Sequence, residues 1–307
     1  MRVTFLGTAA ARPTVGRNVS ALSVQREGDL VLFDCGEGTQ RQMMRYGTGF
    51  ALSAIFITHI HADHFLGLTG LLRTMGLQGR TEALPVYGPK RSGRILEQAV
   101  HLGLERVSFP VTVTELEPGE RVERGDWAIE AFAVQHGVRA IGYALQEDDR
   151  LGRFDVERAR ALGVPEGPAF GRLHRGEAVE AIDGRMVHPH EVVGPSRPGR
   201  KVVYTGDTRP APSVVEAARG ADLLVHDATF LREDAERAHE THHSTAEGAA
   251  RVALEAGVRR LALTHLSARY AELPHLAESE AREVFPGAVV AWDGFTIEVP
   301  FPDGEAE

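Results

Sequence analysis

The chain has 307 residues, a hydrophobic fraction of 43% and a formal net charge of −9, enough apolar content for a packed core. No stretch reaches the roughly 20 consecutive apolar residues that a membrane helix needs, and Met1 runs straight into a strand-like segment without a leader pattern, so a soluble, cytoplasmic protein is expected. Cys35 is the only cysteine, which excludes an internal disulfide and a thiolate metal cluster.

The pattern opens with short apolar runs that read as strands at Val3–Leu6, Ala21–Val24, Leu30–Phe33 and Ala54–Thr58. Helical spacing follows at Thr39–Tyr46 and Phe65–Met75. Further strands are expected at Pro85–Tyr87, Val111–Leu116, Ala128–Val134 and Gly142–Leu145. Residues 150–200 break this order: after a short helical piece near Val156–Leu162, the Gly and Pro punctuation at 163–168 and 189–198 reads as a projecting, flexible arm inserted into a single domain of residues 1–307. The regular order then resumes, with strands at Lys201–Thr205, Leu223–Val225, Leu261–Thr264, Val289–Ala291 and Thr296–Val299 and helices at Ser213–Arg219 and Ser244–Ala256.

Acidity by itself argues against a nucleic-acid partner, because phosphate binding is driven by basic side chains. The average conceals a local exception, since residues 150–201 carry ten Arg or Lys against seven Asp or Glu. That segment is the expected electrostatic footprint. Only Lys90 and Lys201 are lysines, so nearly every cation is Arg, the better bidentate phosphate ligand.

Several predicted strands end in a side chain that can hold a metal: His59, His136, Asp207 and His265. The strongest signal is His59-Ile60-His61-Ala62-Asp63-His64, four potential ligands within six residues on a strand-to-helix turn. Burying so many donors beside apolar surface is costly without a cation to bind them. Imidazole and carboxylate without thiolate suit Zn²⁺, with Mn²⁺, Fe or Co²⁺ as alternatives.

The cluster resembles the HxHxDH signature of the metallo-β-lactamase superfamily, and His136, Asp207 and His265 fall in the order of its remaining ligand motifs. The resemblance implies a four-layered αββα sandwich holding two Zn²⁺ per subunit. His59, His61, His136 and Asp207 would hold one ion; Asp63, His64, Asp207 and His265 would hold the other, with Asp207 bridging. That signature does not fix the reaction, because related sites hydrolyse lactams, thioesters, lactones and phosphodiesters.

Five further segments resemble the ribonuclease Z family: Pro13–Asn18 (PTVGRN), Phe33–Gln40 (FDCGEGTQ), His226–Phe230 (HDATF), His243–Thr245 (HST) and Ser267–Tyr270 (SARY). Two departures stand out. Val15 occupies the Lys position of the family's PxKxRN loop, and Asp227 replaces the Glu of HEAT. The resemblance implies an endoribonuclease that removes the 3′ trailer from precursor tRNA, leaving a 3′-hydroxyl on the tRNA and a 5′-phosphate on the trailer. It also implies a homodimer in which the arm of one subunit serves the site of the other. In that reading Asp63 accepts the proton of the attacking water, His243 protonates the leaving oxygen, Asp227 orients His243, and Arg269 grips phosphate. Asp34 and Glu37 are expected to brace the metal loop, while His226 is expected to be structural. The rival readings are a small-molecule hydrolase of the same fold, such as a thioesterase or lactonase, and an RNA-binding protein with structural metals.

Overall fold

Strands that are apolar on both faces must be covered on both faces, and that requirement organises the molecule. The computed structural model describes residues 1–103 and 106–302, which divide into two units: Met1–Gln146 with Lys201–Pro300, and Glu147–Arg200 with Phe301 and Pro302.

In the larger unit, two seven-stranded sheets are formed by the described residues. Alternation along each strand sends neighbouring side chains to opposite faces. In Asp29–Phe33, Val31 and Phe33 enter a core shared by both sheets, whereas Leu30 and Leu32 pack with Met43, Leu71 and Leu72 of the helices Thr39–Tyr46 and Leu68–Leu77. In the second sheet, Val202, Tyr204, Leu223, Val225 and Ala262 join the shared core. Val203, Leu224, Leu261 and Leu263 instead meet the helices Pro212–Ala218 and Ala246–Ala256. The layers are therefore helix, sheet, sheet, helix. Phe33 is central to the inner layer, with ring centroids 5.5 Å from Phe56, 5.7 Å from Tyr143 and 6.0 Å from Tyr204.

Parallel pairing sets the direction of the functional edge. Asp29–Phe33 runs parallel to Leu52–Phe56, and Lys201–Tyr204, Leu223–Asp227 and Leu261–Thr264 run parallel to one another. Chains leaving these strands converge at their carboxyl ends, where loops of an α/β protein collect ligands.

The elements anticipated from sequence form within a few residues of their expected limits. Others were missed, including the helices Gly93–His101, Ala235–Thr241 and Pro274–Arg282. Gly93 is a poor helix former, and the first helix is carried by the burial of Leu96, Ala99 and Val100 rather than by propensity. In the third, the buried stripe is Ala277 and Ala281, whose small side chains give little periodic signal.

The smaller unit, which contains the segment expected as an arm, has a core of its own. Ala159, Val164, Leu173, Val179, Val187 and Val192 are buried together around the helices Val156–Ala161 and Pro168–His174 and a two-stranded ribbon. Pro168 begins a helix instead of breaking one, because the first helical position has no N–H obligation. Asp155 caps the other helix by accepting the Arg158 amide at 2.8 Å.

Candidate metal and catalytic site

Six strand ends of the larger unit deliver the site. Asp34, His59, His136, Asp207, Asp227 and His265 each lie at or just beyond a strand terminus, and Asp63 and His64 open the short helix Ala62–Phe65. Two backbone features make the convergence possible. Asp34 and His265 adopt left-handed conformations, at φ 56° and 61°, which turn the chain sharply as it leaves the sheet. Gly206, at φ 59°, passes so close to Thr58 that a β-carbon there would come within 2.8 Å of that side chain.

Two groups of donors face each other. In the first, His59 Nε2 lies 3.0 Å from His61 Nδ1 and 3.5 Å from Asp207 Oδ2, and His136 Nε2 lies 3.2 Å from His61 Nδ1. In the second, His64 Nε2 lies 3.4 Å from His265 Nε2, 3.5 Å from Asp63 Oδ2 and 3.3 Å from Asp207 Oδ1, while His265 Nε2 is 3.3 Å from both Asp63 Oδ2 and Asp207 Oδ1. A tetrahedral zinc with ligands at about 2.0–2.1 Å holds its donors about 3.3 Å apart. The spacing fits that ion.

The hydrogen-bond network decides which ring nitrogens face inward. Thr58 donates its hydroxyl to Asp34 at 2.9 Å, so it accepts from His59 Nδ1 at 3.0 Å. Thr229 donates to Asp227 at 2.7 Å and accepts from His265 Nδ1 at 2.9 Å. His64 Nδ1 donates to Asp34 at 2.7 Å, and His136 Nδ1 donates to the His242 carbonyl at 3.1 Å. Each of these four rings therefore turns a bare Nε2 lone pair toward the centre. Buried Asp207 Oδ1 has no hydrogen-bond partner. Bare lone pairs and an orphaned carboxylate oxygen at these separations repel one another unless cations lie between them, and that charge pattern is what two divalent ions would neutralise.

Beside the second group, His243 Nδ1 donates to Asp227 Oδ2 at 2.8 Å. Asp227 also accepts the amides of Thr208 at 3.1 Å and Thr229 at 2.8 Å, and with the Thr229 hydroxyl its four acceptor positions are filled. One of the four is the His243 ring, which that bond holds in place. Burial disfavours the His243 imidazolium, but the Asp227 carboxylate outweighs burial and lifts the pKa to about 9. The rest of that motif is structural: Ser244 donates to the Thr208 carbonyl at 2.7 Å, and Thr245 caps the helix Ala246–Ala256.

A cavity of about 560 Å³ opens over the site, lined by His61, Asp63, His136, Asp207, His243 and His265 and by Arg12, Phe230 and Arg237. Arg269 does not line it. Its guanidinium lies 3.5 Å from Asp234 on the turn Ala268–Tyr270. Glu37 corrects an expectation, for its side chain is exposed and only its carbonyl is engaged, accepting from Asn18 at 2.8 Å. Asp34 does brace the site, bonded to Thr58, His64 and Tyr204. His226 is buried, bonded through Nδ1 to the Asp227 carbonyl, outside both donor groups. Sequence reasoning passed over Thr58, Thr229 and His242, which fix the rings, and Arg12 and Arg237, which line the cavity.

Residues 14–265 match the Metallo-beta-lactamase superfamily. A protein named Ribonuclease Z from Myxococcus xanthus is 58% identical, covering 99% of both chains, and one from Haloferax volcanii is 57% identical, covering 99% of this chain and 97% of that one. The crystal structure of human tRNase Z, short form, is similar with a TM-score of 0.72 and 28% identity, covering 98% of this chain and all of that one.

Asp34 supports the second donor group without belonging to it, which gives a test of the positioning network. Asp34→Ala is expected to weaken metal affinity by about 10–100-fold, as loss of a residue that orients a ligand does. Competition against a chromophoric chelator measures it; affinity equal to the parent protein's would contradict the role.

Proposed function

The chain belongs to the ribonuclease Z family of the metallo-β-lactamase superfamily, and from that premise we infer that it is a metal-dependent endoribonuclease that removes the 3′ trailer from precursor tRNA. The observation that carries this reading is the pairing of two donor groups, bridged by Asp207, with a His243–Asp227 acid pair in the same cavity. Phosphodiester cleavage needs both charge neutralisation at phosphate and a proton for a poorly departing alkoxide. Relatives bearing the Ribonuclease Z name leave no support for the thioesterase or lactonase reading.

His59, His61, His136 and Asp207 would hold one ion, and Asp63, His64, Asp207 and His265 the other. Zinc suits this donor set, since the lone cysteine is buried in the helix-facing core of the first sheet. When bound, such ions would supply Lewis acidity toward a phosphate and would lower the pKa of water. Asp63 has the proton-accepting role: its Oδ2 already accepts the Ala11 amide at 2.8 Å and faces His265, which leaves Oδ1 for the water proton. His243, kept charged by Asp227, gives its proton to the leaving 3′ oxygen of the tRNA. Arg269 would reach a phosphate only by leaving Asp234, with which it pairs outside the cavity lining. The products would be a 3′-hydroxyl on the tRNA and a 5′-phosphate on the trailer. Two copies would associate as a homodimer in the cytoplasm, the 150–200 segment of one copy gripping the tRNA body for the site of the other.

The acid role is tested with two leaving groups. His243→Ala should keep its metal and lose about 10²–10⁴-fold in cleavage of precursor tRNA. A nitrophenyl phosphodiester, whose leaving group needs little protonation, should lose far less; equal losses on both substrates would remove His243 from that role. End-mapping of the tRNA products tests the activity itself, and failure to release an intact trailer would overturn it.

The gripping role is tested by replacing about Leu151–Pro198 with a short linker, which a loop closure of that size tolerates. Precursor tRNA binding should weaken and its salt dependence flatten, while nitrophenyl ester hydrolysis persists. Unchanged tRNA affinity and salt slope in the shortened protein would exclude this segment as the gripping element.

A further inference from the structure

We propose that Arg12 and Arg237 form a clamp for the phosphates that flank the scissile one, so that the cavity binds an extended single-stranded polyanion and not an isolated ester; this rests on the endoribonuclease reading and names how its substrate is held. Acidic residues outnumber basic ones in this chain by 43 to 34, so a surface guanidinium usually finds a carboxylate. The neighbouring cations follow that pattern or are otherwise engaged. Arg269 pairs with Asp234, Arg209 bonds the His242 ring, and Arg17 is buried against Thr8 and the Ala291 carbonyl. Arg12 and Arg237 are exposed, line the cavity, and form no ion pair among the described residues.

Their backbones are fixed while their charges are free. Ala11 holds a left-handed conformation at φ 58°, which an alanine adopts at a cost that glycine would avoid. Two hydrogen bonds maintain it there: Ala10 donates its amide to Leu266 at 2.9 Å, and Ala11 donates to Asp63 at 2.8 Å. The loop that carries Arg12 is thus fastened to a candidate metal ligand. On another wall, Arg237 rises from the helix Ala235–Thr241, whose Ala238 is buried, and its guanidinium carbon lies 5.9 Å from the Phe230 ring centroid. Stacking on a ring leaves the edge of a guanidinium available for bidentate hydrogen bonding to phosphate. The scissile phosphate would sit at the two donor groups, which line the same cavity as these arginines.

The experiment compares Arg12→Ala, Arg237→Ala and their double variant with Arg12→Lys and Arg237→Lys, after metal content has been matched to the parent. For precursor tRNA, each Ala variant should raise KM more than it lowers kcat, and should reduce the slope of log affinity against log salt by about 0.7–0.9. The Lys variants, which keep the charge, should keep the slope. Losses in kcat/KM on precursor tRNA should exceed those on bis(p-nitrophenyl) phosphate, which has no flanking phosphate, by about tenfold or more. Unchanged slopes in the Ala variants, or equal losses on the two substrates, would overturn the clamp while leaving the endoribonuclease reading intact. Should the parent protein leave precursor tRNA uncut, that reading fails, and the same slopes measured for a single-stranded RNA oligonucleotide decide the clamp separately.

Discussion

The structure depends on one electrostatic constraint: five imidazoles and two carboxylates meet in a space where bound metal cations would reconcile their lone pairs. Asp207 is the pivot. One of its oxygens faces His59 and the other faces His64 and His265, at 3.3–3.5 Å. Removing its charge would leave both donor groups without a shared anion. Such an arrangement would be expensive to assemble in a pliable loop, and the chain instead builds it at the ends of buried parallel strands whose core residues fix each terminus.

That rigidity is supplied in layers. The aromatic contacts around Phe33 hold the strand that ends at Asp34; Asp34 holds Thr58, His64 and Tyr204; and Thr58 holds His59. A parallel line runs from Asp227 through Thr229 to His265. The same Asp227 carboxylate accepts from His243, so the proposed acid and one proposed metal ligand share a single support. Shortening the family's usual Glu to Asp at this position still leaves a carboxylate with all its acceptor positions occupied, which explains how the chain accommodates the change.

How much of this was legible in the sequence varied with distance along the chain. His59 to His64 could be read directly because local spacing fixes four side chains on one turn, and His136, Asp207 and His265 could be read because each follows an apolar strand. Thr58 and Thr229 could not, since a threonine near a strand end has many ordinary uses and its value here lies in having both a donor and an acceptor partner. His242 acts through its carbonyl, for which no side-chain signal exists. The core of the 150–200 segment was hidden for a different reason: Gly and Pro mark turns whether or not the residues between them share a core, and Ala159, Leu173 and Val187 find one another only in three dimensions. Arg12 and Arg237 were hidden among many arginines until the cavity set them apart.

A fold used by many hydrolases becomes specific through what surrounds the candidate metal-binding donors, and in this chain the surroundings are a histidine paired with a carboxylate and a cavity edged by guanidinium groups. All of these assignments presuppose that both donor groups are loaded. Elemental analysis of the purified, active protein beside Asp207→Ala is therefore the most direct test. The account predicts two equivalents of zinc or another transition metal per chain in the parent, and loss of both in the variant. Less than one equivalent in active protein, or two retained in Asp207→Ala, would contradict it.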